Sequence, residues 1–165
     1  MGSVEQIVDS LRLVPHPEGG YFRRTYSSKI LAPIGPEQSH RPTLTCIYYL
    51  LTRDSPIGHL HVNRSDIVHF FQGGGPIQYT LLSPKGELEN VTLGSSVESG
   101  HQLQLTVYGG WWKASQLIDG EYGLISEAVS PGFAYEDMGF VSKLDIESRD
   151  PALTEKLNRF VLKKQ

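Results

Sequence analysis

Short runs of β-branched and aromatic residues, each cut off by glycine or proline, dominate the hydrophobic pattern of this 165-residue chain. Such punctuation favours many short strands over long helices. The runs predict strands near 21–28, 43–52, 58–62, 66–72, 77–83, 87–93, 102–108, 111–117, 121–129 and 137–145. Between them, Pro33-Ile34-Gly35-Pro36, Asp54-Ser55-Pro56, Gly73-Gly74-Gly75-Pro76, Ser83-Pro84-Lys85-Gly86, Gly109-Gly110, Asp119-Gly120 and Ser130-Pro131-Gly132 read as turns. About ten strands at roughly ten-residue spacing imply an all-β, antiparallel sandwich or barrel. A helical period of 3.6 shows only at the ends. Ser3 and Gln6 form a capping box ahead of the stripe Val4, Ile7, Val8, Leu11. Near the other end, Asp150 as cap and Pro151 in the first turn precede Leu153, Leu157 and Phe160, predicting a closing helix over about 151–163. The proline-rich stretch 29–42 reads as an exposed loop, a candidate lid over one barrel end.

The length suits a single domain, 1–165, with its core over about 11–145. A net charge of −3 supplies no basic field for nucleic acid, and every apolar run is too short to span a bilayer. The start, Met1 to Gln6, lacks a basic-then-apolar leader, and Gln6 stands where a myristoylation signal on Gly2 needs Ser or Thr. Asn63-Arg64-Ser65 and Asn90-Val91-Thr92 therefore read as accidental glycosylation sequons. The single Cys46, inside an apolar strand, is expected to be an inert core thiol in a reducing compartment, and a cytoplasmic location follows as the expectation.

Candidate chemistry centres on GHLHVNRSD, residues 58–66. Alternate strand residues face one way, so His59 and His61 can both look into the barrel, with Asp66 following. Two imidazoles and a carboxylate are a partial ligand set for a divalent metal. His69 and His101 could complete it, or serve as a core histidine and a loop residue. Without metal, His61 is a candidate base, with an acid drawn from Tyr48, Tyr49, Tyr79 and Tyr108, of which Tyr49 and Tyr108 are preferred. In His16-Pro17-Glu18-Gly19-Gly20-Tyr21-Phe22-Arg23-Arg24, Pro17 and the glycines dictate a turn into a strand. His16 and Glu18 have no such backbone explanation. Tyr21 and Arg23 share a strand face and are expected at the pocket mouth, Arg23 gripping a phosphate or carboxylate; the alternative is a salt-bridged strand at a dimer interface. Trp111 and Trp112 point to opposite sides, and Trp112 is the one expected to stack on a flat or sugar-like ligand. The glycine run at 73–75 precedes Pro76 rather than a helix and is no phosphate loop.

The HPEGGYF block, Thr45-Cys46-Ile47-Tyr48-Tyr49-Leu50-Leu51, the run HVNRSDIVHFFQGG, Trp111-Trp112-Lys113-Ala114 and Val129-Ser130-Pro131-Gly132-Phe133 together resemble a small family of single-domain cupins of unknown function. The resemblance covers most of residues 11–141. It implies a jelly-roll barrel of the kind shared with seed storage proteins and nucleotide-sugar 3,5-epimerases, commonly a homodimer, and supplies no reaction. Set against the general cupin metal motif, His59, His61, Asp66 and Gly73 fit the spacing, but Trp112 stands where the last histidine belongs. In the small family's own register Ile67 replaces a glutamate and Asp66 becomes a turn residue, so only His61 survives both alignments. The expectation is a cupin that binds a small polar or sugar-like ligand with Glu18, Tyr21, Arg23, His59, Asp66, His69 and Trp112 around it. It would act as a metal-independent isomerase or epimerase. The alternatives are a non-enzymatic binding or regulatory module, and a metal-dependent enzyme using His59, His61 and Asp66.

Overall fold

The computed structural model describes residues 3–163, so the Gly2 reading lies outside the described residues. The chain opens with helix α1 (Val4–Leu11), started by the expected capping box: the Gln6 N–H donates to Ser3 Oγ (3.3 Å) and the Ser3 N–H to Gln6 Oε1 (2.9 Å). Its apolar stripe is half-buried, and Arg12 ends it in the left-handed region.

One sheet has the order β1 (Val14–Pro15), β2 (Tyr21–Ser27), β5 (Thr45–Thr52), β12 (Tyr122–Ser130), β7 (Asp66–Gly74), β10 (Gln104–Val107). The other runs β13 (Met138–Phe140), β6 (Ile57–Asn63), β11 (Trp112–Leu117), β8 (Ile77–Leu82), β9 (Leu88–Leu93). All these neighbours pair antiparallel, the jelly-roll solution to closing short strands over one core. The inner faces meet through Tyr49, Leu51, Ile77, Tyr79, Leu81 and Ile125, among others. A second apolar cluster lies behind the five-stranded sheet, where Leu60, Leu82 and Ala114 are covered by Ile146, Leu153, Leu157 and Phe160.

Three expectations are corrected. The stretch 29–42 is not a loop but a hairpin of β3 (Leu31–Ile34) and β4 (Ser39–Pro42), turning at Gly35 and Gln38 with positive φ. Its Arg41 guanidinium is buried against Asp137 (2.7 and 3.1 Å) and Glu136 (2.8 Å), which pins the hairpin to the barrel rim. The strand expected at 137–145 stops at Phe140, because Ser142 and Asp145 form a reciprocal capping box that starts helix α2 (Lys143–Arg149). The single closing helix is instead broken: Asp150 caps a 3-10 turn (Pro151–Leu153), followed by α3 (Thr154–Leu157) and another 3-10 turn (Asn158–Phe160). The three apolar anchors Leu153, Leu157 and Phe160 are nevertheless all buried.

Because Phe160 is enclosed between these turns and the sheet, Phe160→Ala is expected to cost about 3–5 kcal/mol, read as a lowered denaturant midpoint with an unchanged slope. A loss within about 0.5 kcal/mol would mean that the C-terminal segment is not part of the cooperative unit.

Candidate active site

The HPEGG block folds as a tight turn that delivers one carboxyl into the barrel. Gly19 N–H donates to the His16 carbonyl (3.0 Å) and His16 N–H to that of Gly20 (2.9 Å). Gly19 adopts φ +99°, and a Cβ there would run into the Ile57 carbonyl oxygen, so the residue type is dictated by both backbone and space. The turn is tied down by the Tyr49 hydroxyl donating to the Gly19 carbonyl (2.8 Å), the Gly20 N–H to Ser55 Oγ (2.8 Å) and the His59 N–H to the Glu18 carbonyl (2.6 Å). Glu18 itself lines a cavity, together with His16, Tyr49, Asn63, Lys113 and Glu127. Phe22, Ile47, Ile67 and Val129 supply apolar wall, and Arg24 and Phe133 complete the lining. The enclosed interior is small, about 30 Å³, and the space reaches about 430 Å³ when the open mouth is included.

Behind Glu18 sits His61, fully enclosed and not itself part of the cavity wall. Its Nδ1–H donates to the His59 carbonyl (2.7 Å), which leaves the lone pair on Nε2. That Nε2 faces Glu18 Oε2 at 3.3 Å, close but not aligned as a hydrogen bond, and has no other partner. Burial lowers the His61 pKa to about 3, helped by the Lys113 charge, and burial likewise takes His16 to about 4. Burial pushes Glu18 the other way, up to about 8, against the pull of Lys113. At neutral pH the pair is therefore chiefly a carboxylic acid beside a neutral imidazole.

Deeper in, a charge chain crosses the barrel. The Lys113 ammonium, 5% exposed, can only donate, so His69 Nε2 (3.3 Å) accepts, and His69 Nδ1–H donates to Glu127 Oε1 (3.1 Å). The Tyr79 hydroxyl lies 3.3 Å from the same Nδ1. Burial alone would raise the Glu127 pKa, but Lys113 and His69 outweigh it and hold the carboxyl ionised, well below the usual range. Burial, then Lys113, lowers His69, and burial raises both Tyr49 and Tyr79 well above the ordinary phenol value. Strand register makes these contacts, since Glu127 stands opposite His69 and Lys113 opposite His61.

Several expected site residues point elsewhere. A β-bulge pairs Lys113 with His61 but Ser115 with Gly58, which absorbs an extra β6 residue and breaks the parity of the H-x-H pattern. His61 and Asn63 face the barrel, whereas His59 turns to the Phe160 carbonyl (3.2 Å). Asp66 is exposed and accepts from the Gly109 N–H (2.8 Å), while Ile67 lines the cavity. Tyr21 and Arg23 face away, because Phe22 and Arg24 are the residues opposite Tyr49 and Ile47; Arg23 instead lies over Tyr48 (5.7 Å). Tyr108 is 57% exposed and off the cavity, and Trp112 packs on the C-terminal cluster under Arg149 (4.7 Å). His101 sits among loop residues beside Ser96, and Cys46 is half-buried rather than in the core. Sequence reasoning missed Lys113 and Glu127. The available signal was a charged residue sharing parity with apolar neighbours, Glu127 between Ile125 and Val129 above all.

Jelly-roll order and the HPEGG turn pointed the same way, and a family model described as "Cupin superfamily (DUF985)" matches residues 5–141. The chain belongs to the cupin superfamily. It is 38% identical to an uncharacterised Saccharomyces cerevisiae protein over 156 residues, covering 87% of this chain and 77% of that one. A hypothetical protein from Leishmania major superposes with TM-score 0.90 at 30% identity, covering 98% of this chain and all 100% of that one. A Shewanella oneidensis protein gives TM-score 0.88 at 26% identity, covering 99% and 100%. Bacillus subtilis oxalate decarboxylase shares the fold alone, at TM-score 0.56 and 16% identity over 91% of this cupin and 37% of the decarboxylase.

A cupin barrel raises the question of a metal, and the donors here do not fit one. His59 and Asp66 are turned to backbone partners, Trp112 occupies the position of the last histidine, and a lysine cation points into the barrel. Among the described residues no group of three or more His, Cys, Asp or Glu is arranged to hold a metal ion. Nor, among them, is any helix long and apolar enough to cross a membrane.

Glu18 binds its proton more tightly folded than unfolded, so its contribution to stability is fully present below its ordinary pKa of 4.5 and is lost as pH rises to about 8. His61 and His16 do the reverse, contributing above 6.5 and losing it as pH falls through about 4 and 3. Glu18→Gln, which mimics the protonated acid, is expected to be more stable than wild type by about 4 kcal/mol at pH 8 and by less than about 1 kcal/mol at pH 5, measured by denaturant midpoints. An equal difference at both pH values would show that Glu18 is not held as an acid.

Proposed function

We propose that this cupin binds a small polar, carbonyl-bearing molecule in the barrel and moves a proton on it without a metal, as an isomerase or epimerase does. The observation that carries the reading is Glu18: a carboxyl on the cavity wall whose pKa sits near 8, backed at 3.3 Å by the unpartnered Nε2 of His61. A group titrating near the working pH can both take and return a proton. The role first assigned to His61 moves to Glu18, which reaches the cavity, and His61 becomes a positioning residue behind it.

In the step, a C–H bond beside the carbonyl breaks and its proton passes to ionised Glu18. The electron pair forms a C=C bond and places negative charge on the carbonyl oxygen. Lys113, the buried cation on the cavity wall, stabilises that oxygen as charge develops. Return of the proton to either face, or to the neighbouring carbon once a hydroxyl proton has moved, gives the isomer. The kinship of fold with nucleotide-sugar epimerases implied by the sequence signature is consistent with this chemistry and does not carry it.

Because the base is ionised Glu18, kcat/KM is expected to climb with pH and level off above about 8. Deuterium incorporation from D2O into a panel of small oxo-compounds and sugar phosphates, followed by NMR, measures the step. Glu18→Gln should slow it by about 10²–10⁴-fold with the circular dichroism spectrum unchanged. Unaltered incorporation in that variant would remove Glu18 from the reaction. Saturable thermal stabilisation with no incorporation would instead favour a binding module without chemistry.

Treatment with chelator, monitored by elemental analysis, is expected to leave the exchange rate unchanged. Loss of exchange restored by added divalent metal would overturn the metal-independent reading.

A further inference from the structure

The entrance to the cavity carries an arginine that meets no carboxylate among the described residues. Inside, the Lys113 ammonium and the Glu127 carboxylate offset one another through His69. At the mouth, Arg24 lines the cavity with its guanidinium over the Phe133 ring (5.8 Å to the centroid). Among the described residues, Arg41, Arg53 and Arg64 each meet a carboxylate within 4.0 Å, whereas Arg24, like Arg12, Arg23, Arg149 and Arg159, does not; of these five, Arg24 is the one that lines the cavity. A guanidinium beside an aromatic ring still presents a fork of N–H donors suited to a two-oxygen anion. The enclosed inner volume is small, about 30 Å³, which favours a compact group at the inner end. One more group is unsatisfied: Asn63 Oδ1, on the cavity wall and buried, has no hydrogen-bond donor.

We propose that the cavity takes a short-chain 2-oxo carboxylate, its carboxylate held at the mouth by Arg24 and its oxo group directed inward to Lys113 and Asn63. The proposal deepens the proton-transfer reading and rests on the same site. A ketone oxygen can accept from Lys113 or from the Asn63 amide N–H, but has no hydrogen to give Asn63 Oδ1. Its enol carries an O–H, which Asn63 Oδ1 accepts. With the amide held as it stands, that oxygen is paired only in the enol, a differential contact that favours enolisation. Atoms balance within the ligand and Glu18: the Glu18 carboxylate takes the proton from the carbon next to the oxo group, leaving an enolate, and hands the same proton to the oxo oxygen, so the ligand becomes the enol, Glu18 returns to a carboxylate, and reversal restores the ketone. No oxidant or further reactant takes part.

Pyruvate, its neutral analogue pyruvamide and dihydroxyacetone phosphate are the probes, with binding read by calorimetry and melting temperature. Pyruvate is expected to bind saturably and pyruvamide much more weakly. Arg24→Gln should raise the pyruvate Kd by at least about ten-fold while leaving the ligand-free melting temperature unchanged, because Arg24 is exposed, and Arg24→Lys should recover part of the loss. Absence of pyruvate binding, equal binding of pyruvamide, or wild-type affinity in Arg24→Gln would each overturn the proposal. Tighter binding of dihydroxyacetone phosphate than of pyruvate would also overturn it, placing a phosphate ester at the mouth. Deuterium exchange into the pyruvate methyl group separates this from the reaction. Arg24-dependent binding without exchange leaves the ligand class standing and sinks the proton-transfer reading. Exchange that Asn63→Ala slows while pyruvate affinity holds supports the enol role of Asn63.

Discussion

A lysine ammonium inside a β-barrel has to be answered by an anion or by an oriented acceptor, since an uncompensated buried charge costs several kcal/mol. Lys113 is answered by both, directly by His69 and through it by Glu127. That requirement fixes the His69 tautomer, keeps Glu127 ionised and discourages any further positive charge nearby. Burial depresses His16 and His61, and the Lys113 charge pushes both in the same direction. With the histidines neutral and Glu127 committed to the lysine, Glu18 is the remaining carboxyl on the wall, and burial keeps it protonated near neutrality. Lys113 draws on both carboxylates, but Glu127 also has His69 against it at 3.1 Å, which makes it the structural anion and leaves Glu18 the titrating acid.

The same barrel shows how a small backbone irregularity changes which chemistry is available. One extra residue in β6 turns His59 out to the C-terminal turns while His61 stays inside. The partial metal motif is thereby dismantled, and the freed inner position belongs to a histidine whose lone pair backs Glu18. The C-terminal segment is part of this arrangement, because the Phe160 carbonyl receives the displaced His59 ring. Likewise the hairpin β3–β4 is not a free lid; the buried Arg41–Asp137 contact anchors it beside the segment that carries Phe133 to the cavity mouth.

Much of the architecture could be read before folding. The run lengths and turn residues located nearly every barrel strand, and the Ser3–Gln6 box located α1, because these depend on local backbone preference. The misses were local competitions decided at longer range. Ser142 and Asp145 overrode a strand-like stretch, and prolines at 33 and 42 entered an edge hairpin where their missing N–H groups do no harm. In the site, His61, Glu18 and Tyr49 were identifiable from the HPEGG block and from strand position, while Lys113 and Glu127 were passed over.

From residue order came the antiparallel all-β class, sharpened to a jelly roll by the family resemblance, together with the turn that presents Glu18 and the incomplete metal set, since Trp112 in place of a histidine removes a lone pair in any conformation. Folding settled orientation: Arg24 rather than Arg23 at the mouth, Ile67 rather than Asp66 on the wall, and His59 outside. The physical reason is that side-chain direction along a strand alternates, so a one-residue offset reverses it. Where that offset falls is set by the strand alongside, through pairings such as Lys113 with His61 and Glu127 with His69. Those partners lie tens of residues apart in the chain and meet only in the closed barrel.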